Sequence, residues 1–502
     1  MEHYRDKNES IQYAALDRTQ PTEITSELTL PDYRGEIVRL LWVRPTFTPP
    51  EIFVRGTKAE LSGTVYYEIG YVDGENALCT AEFTDGYHVS LPLEEGAQPE
   101  LAFNTQMVTD AVVGRVTAPR RLSVRSRLHT RVMGYADMEL SPKMRGDGVD
   151  EERICRLSAG AECGRFTPTA RETLTLADSM ELPQNTHLIG ARGTLYLPEV
   201  SAATGCVNCR GELIVTLLLC HEGGTPTTTV RRIPFATELV AEQISPVWSA
   251  AVSGAVSELH ASLQDGELRT QAVVTLNGMA QTQEPVILCR DVFAPGMHAE
   301  CHFSTEPLWQ AGCCCNQHFS ISGECERTAL PLDGEVEILD VTAEPEIAEK
   351  AGDGSRITLS GDLKCHLLCM RGNEIFVTDA AFPFRVSTQQ GGEDVMVDAC
   401  VPVCRATLGP DTMRVDAELQ LALRAVTQTP VRSLSEATFT RCESPTPVEG
   451  IELYYPTGTE TLWSVAKRYG CTPDAIADAN GLDSTDLSSP DSLAGKRFLL
   501  IP

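Results

Sequence analysis

"LSGTVYYEIGYVDGEN", residues 61–76, decides how the chain is read, because two later stretches repeat its layout. "CRGELIVTLLLCHEGGT" (209–225) and "LSGDLKCHLLCMRGNE" (359–374) follow the same order of glycine, apolar strand and turn. The first and third copies share one spacing, Gly63, Tyr71 and Gly74 against Gly361, Cys369 and Gly372. The second is read with one extra residue between Gly211 and Cys220. A short apolar run bounded by turn residues predicts a buried strand, and its recurrence predicts several copies of one unit.

The flanks support the repeat. Upstream lie acidic strand segments, "EIVRLLWVRPTF" from Glu36 and "EVEILDVTAEPEI" from Glu335, with "THLIGARGTLYLPEV" from Thr186 as a looser counterpart. Downstream come Pro-Phe elements, "RRIPFATELV" and "AAFPFRVS", and then the closing strands "RLSVRSRLHTRVMG", "ELRTQAVVTLNGM" and "MRVDAELQLALRA". These alternate with the strand period of two, so each unit has one buried and one wet face. The expected fold is mainly β: three tandem sandwich-like repeats at 20–145, 165–295 and 315–443, arranged as beads on a string. Two less periodic stretches rich in glycine and cysteine, 141–166 and 294–319, are expected to be connections.

With 502 residues the chain has room for several cores. Its 70 acidic against 41 basic residues give a net charge of −29, which opposes nucleic-acid phosphates and anionic lipid. No run reaches the eighteen apolar residues of a membrane span and the N-terminal stretch has no signal-peptide core, so a soluble cytosolic protein is expected. The 18 cysteines are accordingly expected to be reduced thiols.

After the Pro-containing stretch "CESPTPVEGIE" the pattern changes, and 449–502 reads as a small βααβ domain. Leu462, Val465, Ala466 and Tyr469 form one helical face closed by Gly470. Thr472 and Pro473 start a second helix that ends at Gly481, and "IELYYP" and "RFLLIP" flank the pair as strands. Thr459, Glu460, Lys467 and Arg468 fall in the turn or off the apolar face, and Trp463 borders the core stripe.

In the order of its turns, caps and core positions this tail resembles the LysM family, from "TLWSVAKRYG" through "ANGL" to the closing "IP". The resemblance implies a groove beside the turn before the first helix that takes the N-acetylglucosamine backbone of peptidoglycan or chitin. It makes Thr459, Glu460, Thr461, Trp463, Lys467 and Arg468 the candidate binding residues. The turn departs from the family's Gly-Asp-Thr, carrying Thr459, Glu460 and Thr461, and Pro456 replaces a usual valine.

Repeated β units followed by one LysM also look like the LysM-containing spore coat morphogenetic proteins of endospore-forming Firmicutes (SipL type). The repeats resemble their SPOCS-type domain of unknown function, and "RDVFAPGMHAECHF" from Arg290 resembles the segment after it. That likeness implies a non-enzymatic scaffold in the mother-cell cytosol at the forespore surface. Its LysM would dock on a coat morphogenetic protein of the stage IV sporulation protein A type, and its repeats would self-associate. The alternative is a binder of peptidoglycan or of its lipid-linked precursor.

Neither a phosphate-binding loop, nor a nucleophile elbow, nor a zincin motif occurs, and no catalytic residue, cofactor or metal is expected. Cys206 with Cys209, Cys313 to Cys315, and His298 with Cys301 and His302 are read as structural. Cys220 and Cys369, set in the position of Tyr71, are read as small buried side chains. In "RLSVRSRLHTR", Arg125, Arg127 and Arg131 line one strand face, a basic surface that is either solvated or docks an acidic partner.

Overall fold

The computed structural model describes residues 10–93, 101–146, 153–221, 224–332, 334–442, 452–457, 459–482, 487, 489, 493 and 496–502. The chain is mainly β, with two short helices near its end. Repeat 1 contains β1 (Ser10–Thr29), β2 (Arg39–Phe47), β3 (Glu51–Arg55), β4 (Lys58–Val72), β5 (Leu78–Pro92), β6 (Ala102–Ala118) and β7 (Arg121–Glu139). After the short β8 (Lys143–Arg145), repeat 2 contains β9 (Cys155–Pro168), β10 (Glu172–Glu181), β11 (Thr186–Ala203), β12 (Cys206–His221), β13 (Thr227–Val240), β14 (Ser249–Gln264) and β15 (Glu267–Phe293). Repeat 3 contains β16 (Met297–Glu326), β17 (Glu337–Gly352), β18 (Ile357–Arg371), β19 (Glu374–Ser387), β20 (Asp394–Leu408) and β21 (Thr412–Arg441).

Every repeat is built to one plan. A meander forms one sheet, β2 and β3 with β4 and β5, then β11-β12-β13, then β17-β18-β19. The leading strand pairs with the last and the last with the one before it, giving β1-β7-β6, β10-β15-β14 and β16-β21-β20. Each sandwich closes over its own apolar core, with Leu61, Tyr67 and Leu128 in the first, Leu213, Val252 and Val274 in the second, and Leu363, Val397 and Leu421 in the third. The opening stretch is the middle strand of its meander, and Val65 to Val72 are buried without interruption. Alternate residues face the core of repeat 1, while Tyr66 packs into the core of repeat 2. Burial on both faces is why the segment reads as a continuous apolar run.

Register corrects the repeat alignment. A bulge opposes Leu40 and Trp42 to Tyr71 and Gly70, Leu188 and Gly190 to Leu219 and Leu218, and Ile338 and Asp340 to Cys369 and Leu368. Leu219, 4% exposed, is therefore the counterpart of Tyr71 and Cys369, and the step from the first glycine to this position is the same in all three copies, so the extra residue of the second copy falls after Leu219. Cys220 lies one residue further on and is half-buried. The shared glycines sit across from the aromatic of the following strand: Gly63 from Tyr87, Gly211 from Phe235, Gly361 from Phe384. A Cβ on Gly63 would come within 2.5 Å of the Tyr87 hydroxyl, so the ring lies directly over the bare backbone. In the second and third repeats the aromatic opposite the glycine, Phe235 or Phe384, belongs to the Pro-Phe element.

Where described, the stretches expected to be connections are largely strand. β9 and the first half of β16 pair with the far halves of β15 and β21, as β1 pairs with the end of β7, so each repeat extends into a two-stranded ribbon. The expected domain starts at 20, 165 and 315 fall within β1, β9 and β16, close to where each chain leaves its ribbon for the sandwich. Instead of standing as beads, the repeats close a ring. The Thr80 hydroxyl donates to the Ile189 carbonyl at 2.6 Å, that of Thr228 to Leu339 at 3.2 Å, and the Arg39 guanidinium to the Ile375 carbonyl. At the centre Met133, Tyr135, Phe166, Met279, Trp309, Met396 and Val426 form one cluster drawn from all three repeats. Tyr135 stacks on Phe166 at 4.6 Å, and the Phe166 amide donates to Gln12 at 2.7 Å. Met133, Met279 and Arg424 occupy matching places opposite Asn104, Ala251 and Met396, so a guanidinium stands where the other two repeats have a thioether. Arg424 is 5% exposed and its guanidinium donates to Asp398.

Candidate functional site

The tail contains β22 (Glu452–Tyr454), α1 (Leu462–Tyr469), α2 (Pro473–Asn480) and β23 (Leu499–Ile501). Thr461 caps α1: its hydroxyl accepts from the Ser464 amide at 3.1 Å, and its own amide donates to the Ser464 hydroxyl at 3.0 Å. Gly470 closes the helix at φ 64° and Gly481 closes α2 at φ 59°, left-handed positions that suit glycine. Thr472 caps α2 with Pro473 in its first turn. Leu462, Val465, Ala466, Ile476, Leu499 and Ile501 form the core. The Asn480 side chain donates to the Ile476 and Leu500 carbonyls and accepts from the Leu500 amide, all within 2.8 Å, which fastens α2 to β23.

Two of the six candidate residues, Glu460 and Arg468, form a network around the turn. Glu460 accepts from the Thr457 amide at 3.2 Å and from Arg468 at 3.1 Å, and Arg468 also reaches the Tyr454 hydroxyl at 3.0 Å. The Tyr454 hydroxyl, the Thr457 amide and Arg468 together hold the Glu460 carboxyl below its ordinary pKa. Thr461, the third candidate at the turn, is committed to capping. Thr459 is exposed and is not among the described residues with positive φ, so threonine stands there without strain. The Trp463 amide donates to the Leu487 carbonyl at 3.2 Å, which brings the loop after α2 against the turn.

Trp463 and Lys467 face the β body instead. Trp463 is 4% exposed and packs edge-on against Phe293 at 4.8 Å. Its indole N–H donates to Asp291 at 2.9 Å, and the Lys467 ammonium donates to both oxygens of the same carboxylate at 2.7 Å. Phe293, Cys155 and Leu157, from the ribbon of repeat 2, join the core of the tail. Sequence reasoning missed Asp291 and Phe293, because nothing local in "RDVFAPG" marks Asp291 as the partner of Trp463, 172 residues away.

The basic strand face divides. Arg125 lies 3.3 Å from Glu23, and exposed Arg127 faces Glu23 across the sheet. Arg131 instead clamps Asp17 and Asp394, with contacts of 2.6 Å to each, and so ties repeat 1 to repeat 3. Cys206 is half-buried while Cys209 is fully buried in the core of repeat 2, and they do not converge. Burial pushes the Cys209 thiol up to about 12 and that of Cys369 to about 11, which suits inert packing groups. The Cys313 and Cys315 sulfurs lie 3.4 Å apart. Among the described residues no group of three or more His, Cys, Asp or Glu is arranged to hold a metal ion, and no helix is long and apolar enough to cross a membrane.

Residues 460–490 match the LysM domain family, and that match defines the class of the tail as a binding domain. No curated protein matches the chain, and no solved structure does.

Proposed function

We propose that this chain is a non-enzymatic recognition scaffold, in which a ring of three β repeats carries a LysM domain that binds N-acetylglucosamine glycan of the peptidoglycan type. The LysM match over residues 460–490 carries this reading, since LysM domains commonly bind such glycans. The exposed side of the turn at Thr459, beside the Leu487 loop, is the surface left for sugar. The test is calorimetric titration of the intact chain with chitohexaose and with soluble peptidoglycan fragments. Saturable binding weakened at least tenfold by Thr459→Trp, which blocks the turn without entering the core, is expected. Absence of saturable binding to both sugars would refute it.

A second reading is favoured by one observation: the α1 face already makes a protein contact through Trp463 and Lys467. On this reading the scaffold belongs to spore coat assembly in the mother-cell cytosol, and the LysM docks on a protein of the stage IV sporulation protein A type. Capture of that protein by the intact chain, without sugar binding, is the outcome that would favour it.

A further inference from the structure

We propose that the α1 face of the LysM domain is a peptide-reading surface specific for an extended Asp-x-Phe segment, held closed in this chain by Asp291 and Phe293. The proposal deepens the protein-docking reading, and it holds whether or not the turn binds sugar.

Three features of the contact carry it. The first is how the segment is presented. A register shift in β15 between Cys289 and Asp291 re-aims the end of the strand. With the strand period of two, Asp291 and Phe293 then point together at α1, while Val292 turns away into a separate cluster with Leu434 and Phe439. The second is complementarity. One carboxylate receives the indole N–H and both contacts of the ammonium, and the Phe293 ring meets Trp463 edge to face. This is an acidic side chain and an aromatic two residues apart, read by a donor pair and a ring one helical turn apart. The third is scale. The ring of repeats is held by clusters drawn from many strands, whereas among the described residues the body gives the apolar core of the tail Phe293, Cys155 and Leu157. Interfaces between domains of one chain resemble transient protein–protein interfaces, which a competing segment can displace.

A partner that offers Asp-x-Phe in extended form would compete with β15 for the same donors. The experiment uses the intact chain and a fluorescein-labelled peptide copying residues 287–296 with Cys289→Ser, read by anisotropy. Asp291→Ala opens the face, and the variant is expected to bind the peptide at least tenfold more tightly than the parent chain. Binding should be lost when the peptide's own aspartate is replaced by alanine, and when Lys467→Ala is added to the chain. The swapped pair Asp291→Lys with Lys467→Asp rebuilds the ion pair in reverse and should again exclude the peptide. Equal affinity of parent and Asp291→Ala chains, absence of binding by both included, would overturn the proposal, as would binding indifferent to the peptide aspartate. Neither result bears on glycan binding at the turn, which the titrations above test separately.

Discussion

Replacing Phe166 by alanine tests whether the repeats unfold as one body. Phe166 belongs to repeat 2, is 1% exposed, stacks on Tyr135 of repeat 1 and shares a cluster with Met396 and Trp309 of repeat 3. Removing a fully buried phenylalanine costs about 4 kcal/mol through lost transfer energy and the cavity left behind. The stacked partner adds about 1 kcal/mol, since Tyr135 keeps its place without its ring contact. Repeat 1 contains Trp42 and repeat 2 contains Trp248, so chains retaining one or the other tryptophan report the two repeats separately during urea unfolding. At a slope of about 3 kcal/mol per molar urea, the midpoint should fall by more than about 1 M in both reporters alike. If only the Trp248 midpoint moved and that of Trp42 stayed in place, the shared core would not couple the repeats and the ring would be a crowd of independent sandwiches.

Further outcomes follow from single sites. Gly361→Ala would place a Cβ 1.9 Å from the Glu346 carbonyl oxygen, and thermal unfolding should show a loss of at least about 2 kcal/mol because backbone must move. Arg424→Met copies the residue of the other two repeats but strands Asp398, so it should cost about 3 kcal/mol, most of it recovered by adding Asp398→Asn in a double-mutant cycle. Burial, then the neighbouring Glu68, raises the Glu82 carboxyl to about 7. The folded state therefore holds that proton more tightly than the unfolded chain, and stability falls as pH rises between the two pKa values. Glu82→Gln should consequently stabilise the protein at pH 8, by up to about 3 kcal/mol, and leave it nearly unchanged at pH 4, as read from urea midpoints.

The β class, the recurrence of the unit and the LysM helices were legible because each rests on local signals: an apolar run between turns, a period of two, a threonine cap, a terminal glycine. The ribbons were not. Leu308, Trp309 and Cys163 are buried by strands of other repeats, so their own neighbourhood shows neither clean alternation nor a continuous apolar run. The order of glycine, strand and turn sets Cys220 in the place of Tyr71, whereas the bulge that fixes the register is a pairing property invisible along one strand. At the LysM domain the turn and caps could be read from spacing. Which way α1 faces could not, because Lys467 finds its carboxylate on a strand remote in sequence.

Placing all three copies in one polypeptide has a consequence for stoichiometry. A ring assembled from three identical chains would carry three readers and would need the same residue at every symmetry-related position. Here the ring is complete within one chain, so it can hold Arg424 in a single place where its siblings keep methionine, and it presents one LysM domain for every three repeats. The three repeats of this sequence have one LysM match among them, so gathering several chains on a common surface would multiply the LysM domains that act together.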